Sequence, residues 1–111
     1  RGLKLGILSA DTTARVEDFV RVHGLTPYIE LEMGVDRGPS KPDPSLFLNA
    51  CARLGVDPAR TLMVGDSPLD VQMAQTAGAA GAIGICWGTA IAAHLEHAEV
   101  TIAHLDDMVV V

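Results

Sequence analysis

Leu62-Met63-Val64-Gly65-Asp66-Ser67-Pro68-Leu69-Asp70 runs from an apolar stretch into a glycine, then into two carboxylates separated by one helical turn. The reading is a buried parallel strand, a tight turn and a helix N-terminus. Ligands of open α/β sheets bind at such junctions, outside the carboxyl ends of strands. Two carboxylates at the turn suit a hard divalent cation such as Mg²⁺. A purely structural reading competes. Ser67-x-x-Asp70 is also a capping box with Pro68 at the first helical position, which accounts for Ser67, Pro68 and Asp70 without a metal. It leaves Asp66, a charge at the end of an apolar strand, without a reason.

Outward from this stretch, the pattern alternates strands and helices. An apolar run over 3–8 fits a buried strand. The polar turn 9–13 offers Asp11, Thr12 or Thr13 as a cap. A helix then runs to about His23 with Val16, Phe19 and Val20 on one face, and Gly24 stops it. A weaker strand over 28–33 alternates acidic residues, as at a sheet edge. After a Gly- and Pro-rich loop, Asp43 reads as an N-cap and Pro44 as the first residue of a helix. The apolar face of that helix is Leu46, Phe47, Ala50, Cys51 and Leu54, and Gly55 closes it. Strand 61–64 leads to helix 68–77, with Val71, Ala74 and Ala77 inward and Gly78 as its stop. Strand 81–86, a short helix over 89–97, strand 100–103 and a tail over 105–111 complete the chain. Strands alternating with helices imply parallel βαβ units and a three-layer α/β, Rossmann-like sheet.

Composition bounds the function. The 111 residues suit one small domain, and 49% of them are hydrophobic, so disorder is not expected. Mean hydropathy is +0.29. Net charge is −6, with no basic patch, so a nucleic-acid partner is not expected. No apolar run reaches membrane-spanning length and no signal peptide is visible, so no membrane partner is expected either. Cys51 and Cys86 fall in core elements and read as reduced thiols of a cytoplasmic protein. Without a close Cys pair, cysteine-held zinc is not expected. The first residue is Arg1 and a strand pattern opens at Leu3. A natural N-terminus usually leaves some loose lead-in, so a piece of a longer polypeptide is expected.

Three strand ends carry chemistry. Ser9 places a hydroxyl after the first strand. Ser40-Lys41-Pro42-Asp43-Pro44 fixes a lone lysine between prolines before a helix. Asp66 and Asp70 form the acidic pair. In a parallel sheet all three share one edge. The Ser9 hydroxyl and nearby backbone N–H groups, with Ala10 among the phosphate-binding positions, would bond phosphoryl oxygens. Lys41 would offset their charge, and Mg²⁺ held by Asp66 and Asp70 would offset more. A small phosphorylated substrate follows.

On these residues the chain resembles the haloacid-dehalogenase-like (HAD) hydrolase superfamily, and most of all its phosphoglycolate-phosphatase-like branch. Leu5-Gly6-Ile7-Leu8-Ser9 is similar to the family's second motif. Gly38-Pro39-Ser40-Lys41-Pro42-Asp43-Pro44 is similar to its lysine motif, and Val64 through Asp70 to its acidic motif. The resemblance implies a Mg²⁺-dependent phosphatase with Ser9 and Lys41 as catalytic groups. Two departures accompany it. Ala10-Asp11 follows the serine where family members often carry Asn. The family's Asp-x-Asp motif, which supplies nucleophile and general acid/base on a central strand, occurs nowhere in the 111 residues. Asp106-Asp107 lies beyond the last strand and reads as a cap or solvated turn. The resemblance therefore implies the C-terminal part of a core domain over 1–111, with the first strand and the cap domain absent. The edges of strands 3–8 and 61–64 would then lie open, to be paired by the missing N-terminal portion or by a second copy of the chain. The alternative is a non-catalytic α/β module that binds Mg²⁺ or phosphate or serves in assembly.

Other patterns are weaker. Gly78, Gly81 and Gly84 have the wrong spacing for a dinucleotide loop and lead into a strand. His94, Glu96 and His97 read as a solvated helix face, and Trp87 as a rim residue. A phospho-receiver would end its relevant strand in Asp, where this chain has Ser9.

Overall fold

A computed structural model describes residues 2–37, 41–85, 100–103 and 108. In chain order these form β1 (Gly6–Leu8), α1 (Thr13–Val22), β2 (Leu31–Met33), a 3₁₀ turn (Val35–Arg37), α2 (Ser45–Leu54), a second 3₁₀ turn (Pro58–Arg60), β3 (Leu62–Gly65), α3 (Pro68–Ala77), β4 (Gly81–Ile85) and β5 (Val100–Ile102). The expected loop 38–40, helix 89–97 and tail 105–111 lie outside the described residues, apart from Met108. So do Cys86, Trp87, His94, Glu96, His97 and the pair Asp106-Asp107.

Every strand pairing is parallel. β1 pairs with β2, Gly6 opposite Leu31 and Leu8 opposite Met33. A separate sheet runs β3-β4-β5, with Val64 opposite Ile83 and Gly84 opposite Thr101. Parallel pairing forces a crossover between partners, and α1 and α3 supply two of them. Among the described residues β1 is paired only with β2, and β3 only with β4.

Helices cover both faces of the first sheet. Period-2 alternation splits β2, so Leu31 and Met33 are buried against α2 while Glu32 lies on the α1 side. The main core joins Leu31 and Met33 to Leu46, Phe47, Ala50 and Cys51 of α2 and Met73 of α3. Val71 and Ala74 pack on Ala82 of β4 in a second cluster, and Met63 touches both. The expected apolar face of α2 is thus the buried one. Gly55 and Gly78 end α2 and α3 with positive φ.

The α/β reading holds, with local corrections. Phe19 was expected inward, but it is 53% exposed while Val16 and Val20 are buried. Its ring lies 4.4 Å from that of His23, along the outer side of α1. The run 3–8 was expected buried, yet Leu3 and Leu5 are exposed and only Gly6–Leu8 joins the ladder. Leu62 is exposed as well. Leu3 and Leu5 precede β1, and among the described residues neither β1 nor β3 has a second neighbouring strand beside it. The strand expected over 28–33 begins at Leu31. Tyr28 and Ile29 are held in a turn by the Leu25 carbonyl, and Glu30 N–H is given to Leu5 O. At α2, Asp43 and Pro44 were expected as N-cap and first helical residue, but the helix starts at Ser45 with Pro44 at the cap position; Asp43 Oδ1 still accepts Ser45 N–H at 2.8 Å, one residue ahead of the cap. The Ser45 N–H, then the Ser45 hydroxyl, hold the Asp43 carboxyl below its usual range. Burial pushes the Cys51 thiol up, and Cys51 is a free thiol. No helix among the described residues is long and apolar enough to cross a membrane.

Candidate phosphate and metal site

The acidic stretch folds as its capping box requires. Ser67 is extended and caps α3, its Oγ accepting Leu69 N–H at 3.2 Å. Asp70 Oδ2 reaches back to accept Ser67 N–H at 3.3 Å. The Asp70 side chain therefore folds over Gly65 at the end of β3. A Cβ at Gly65 would overlap the Asp70 carboxylate and its Cβ. Only glycine gives β3 that close approach. Gly65→Ala should displace Asp70 and cost about 2 kcal/mol, as overpacking of a filled site does. A thermal midpoint unchanged by that substitution would show that Asp70 is not fixed there.

Asp70 is 4% exposed, one of two buried polar residues among the described residues. Lys41 Nζ lies 2.6 Å from its Oδ1, with both side chains largely shielded from solvent. No directed hydrogen bond reaches Oδ1, so the lysine charge is what compensates it. The same ammonium donates to Leu8 O at 3.3 Å, at the carboxyl end of β1. Lys41 thereby ties the end of β1 to the first turn of α3, immediately after β3. The sheet edge expected for Ser9, Lys41 and the acidic pair is the one at which Lys41 sits.

Ser9 follows β1 directly. Its N–H is given to Met33 O, and its Oγ accepts Asp11 N–H at 3.1 Å, which leaves the hydroxyl hydrogen to donate outward. Of the N–H groups at residues 9–13, those of Ser9, Asp11, Thr12 and Thr13 have acceptors within the chain. Ala10 N–H has none among the described residues. A hollow of about 270 Å³ opens beside this turn, lined by Ile7, Ser9, Asp11, Arg15, Val16 and Phe19.

Asp66 directly follows β3 and is exposed, and Asp70 is buried. A hard oxygen donor at a strand end fits Mg²⁺. Asp70, the second expected ligand, is instead committed to Lys41 and Ser67 N–H. No three His, Cys, Asp or Glu side chains among the described residues gather as a metal-binding group.

A family model described as haloacid dehalogenase-like hydrolase matches residues 1–78. The chain belongs to the haloacid dehalogenase-like hydrolase family. Within it, the chain falls in the phosphoglycolate-phosphatase-like branch. It is 38% identical over 100 residues to a protein named probable phosphatase IndB from Dickeya dadantii, spanning 89% of this chain and 43% of that one. It is 40% identical over 79 residues to a phosphoglycolate phosphatase from Thiobacillus denitrificans, spanning 67% of this chain and 35% of that one. A crystal structure described as a haloacid dehalogenase-like hydrolase from Bacteroides fragilis superposes with a TM-score of 0.88 at 28% identity, over 97% of this chain and 52% of that one. The chain thus spans less than half the length of these two curated relatives.

One contact network escaped sequence reasoning. Thr13, also buried, bonds Asp36 across 23 positions of chain. Thr13 was visible only as one of three candidate caps. Nothing local in the sequence marks its partner.

Proposed function

We propose that the full-length protein is a cytoplasmic, Mg²⁺-dependent phosphatase acting on a small phosphorylated substrate, and that this chain is the C-terminal part of its core domain. The observation that carries the reading is Lys41, held by Leu8 O and Asp70 between the carboxyl ends of β1 and β3. The nearly buried ammonium is a charged donor for an anion. The Ser9 hydroxyl and Ala10 N–H are donors of the same kind, and fixed donors aimed at developing charge need no reorganisation during reaction. A phosphoryl group would draw its donors from these three. Asp66 would hold the Mg²⁺, which when bound neutralises phosphoryl charge. Asp70 orients Lys41 in this arrangement.

The attacking carboxylate must come from outside these residues, because no Asp-x-Asp occurs in the chain. A strand bearing it fits the open edges of β1 and β3, each partnered on one side only among the described residues. Unpaired strand edges also invite another chain, so a second copy is the other partner in view. The test is release of inorganic phosphate from p-nitrophenyl phosphate by the full-length protein with Mg²⁺. Turnover that requires Mg²⁺ is the expected result. Phosphate binding without turnover would point to the non-catalytic module.

A further inference from the structure

The turn that carries Ser9 and Ala10 is held from outside itself. Met33 O, at the end of β2, takes Ser9 N–H at 3.0 Å, and Val35 N–H is given to Asp11 O at 2.9 Å. Between them, Gly34 N–H is given to Thr13 Oγ1 at 2.9 Å. A Cβ at Gly34 would overlap the backbone of residues 11–13, so strand end and turn meet backbone to backbone. Asp36 completes the clamp. Its Oδ1 accepts Thr13 N–H at 2.7 Å and the Thr13 hydroxyl at 2.9 Å. Thr13 is 4% exposed, so these polar groups have little access to water as an alternative partner.

We propose that Asp36 is a positioning residue for the phosphoryl-binding turn, acting through Thr13 on the donors at Ser9 and Ala10. This rests on the reading of those two groups as phosphoryl donors. The Asp36 carboxylate occupies the N-terminus of α1, where an anion is favoured, and it takes up Thr13 N–H. Together with the Met33, Ser9 and Asp11 acceptors, it leaves Ala10 N–H as the one main-chain donor of residues 9–13 without an acceptor among the described residues. Removing Asp36 frees the Thr13 N–H and hydroxyl and loosens the turn. The phosphoryl donors then have to be ordered at the moment of binding.

The test uses the full-length protein with Asp36→Ala, Thr13→Val and Thr13→Ser. KM does not depend on the fraction of protein that is folded, whereas apparent kcat does. Asp36→Ala and Thr13→Val should each raise KM for p-nitrophenyl phosphate, and the inhibition constant of inorganic phosphate, about tenfold, the equivalent of one strong hydrogen bond. Thr13→Ser keeps the hydroxyl and should stay within about twofold of the parent, since it retains both hydroxyl contacts. Amide exchange at residues 9–13 should accelerate about tenfold in Asp36→Ala while that of β4 stays unchanged, as local opening would produce. Unchanged KM and inhibition constants, with only kcat or the thermal midpoint lowered, would overturn the proposal. If the parent neither turns over the ester nor binds phosphate, the phosphatase reading falls. The exchange comparison then decides the clamp, and equal exchange at residues 9–13 in parent and Asp36→Ala overturns it.

Discussion

Asp66→Asn in the full-length protein should lower Mg²⁺-dependent hydrolysis of p-nitrophenyl phosphate about 10³-fold, the scale of several kcal/mol of lost charge stabilisation. The thermal midpoint should stay close to that of the parent, because Asp66 is exposed at the end of β3 and outside the buried core. Asparagine keeps the shape and one oxygen donor but removes the charge that a divalent ion requires. The measurement is kcat/KM as a function of Mg²⁺ concentration, with thermal unfolding alongside. Full turnover by Asp66→Asn at ordinary Mg²⁺ would remove Asp66 from the metal site.

Asp70→Asn should give the opposite pattern, a large loss of stability with a smaller loss of activity. Lys41 Nζ lies 2.6 Å from Asp70 Oδ1, and the Asp70 side chain is 6% exposed. Neutralising one partner leaves a shielded ammonium without its counter-charge, a change that costs about 3 kcal/mol at buried pairs. Thermal unfolding should therefore drop by roughly 10 °C in a protein of ordinary domain size. The Ser67 N–H keeps an acceptor in the asparagine, so the helix cap survives and does not account for the loss. Activity should fall through misdirection of Lys41, and kcat should drop more than affinity for Mg²⁺. Equal stability of Asp70→Asn and parent would show that the Lys41 pair contributes nothing to the fold. An effect on Mg²⁺ affinity as large as that of Asp66→Asn would return Asp70 to the ligand set.

The site was legible in the sequence where chemistry and local structure coincide. Gly65-Asp66-Ser67-Pro68 announces strand end, turn and helix start within four residues. The lysine between prolines before α2 announces a fixed cation. Helical spacing on α2 marks Leu46, Phe47, Ala50, Cys51 and Leu54 as its inner face; the first four are buried and Leu54 is half-buried against them. The failures share a physical cause, since each depends on what lies across space. Phe19 and Val20 are neighbours on α1, and periodicity alone cannot say which of them meets the sheet. Leu3, Leu5 and Leu62 carry the composition of buried strands, yet Leu3 and Leu5 fall before β1 and all three are exposed. Asp70 looked equally suited to a cap and to a metal, and only the position of Lys41 assigns its second oxygen. Asp36 lies 23 positions from Thr13, beyond the reach of any local pattern.

Hydrolysis of p-nitrophenyl phosphate by the full-length protein, measured with and without Mg²⁺ beside residues 1–111 alone, tests the central claim most directly. The expected result is Mg²⁺-dependent turnover by the full-length protein. Residues 1–111 alone should show none, because on the proposed reading Lys41, Ser9 and Asp66 only support the phosphoryl group and the attacking carboxylate belongs to an Asp-x-Asp that the 111 residues lack. Turnover by residues 1–111 at the full-length rate, or a full-length protein inert at saturating Mg²⁺, would contradict the account.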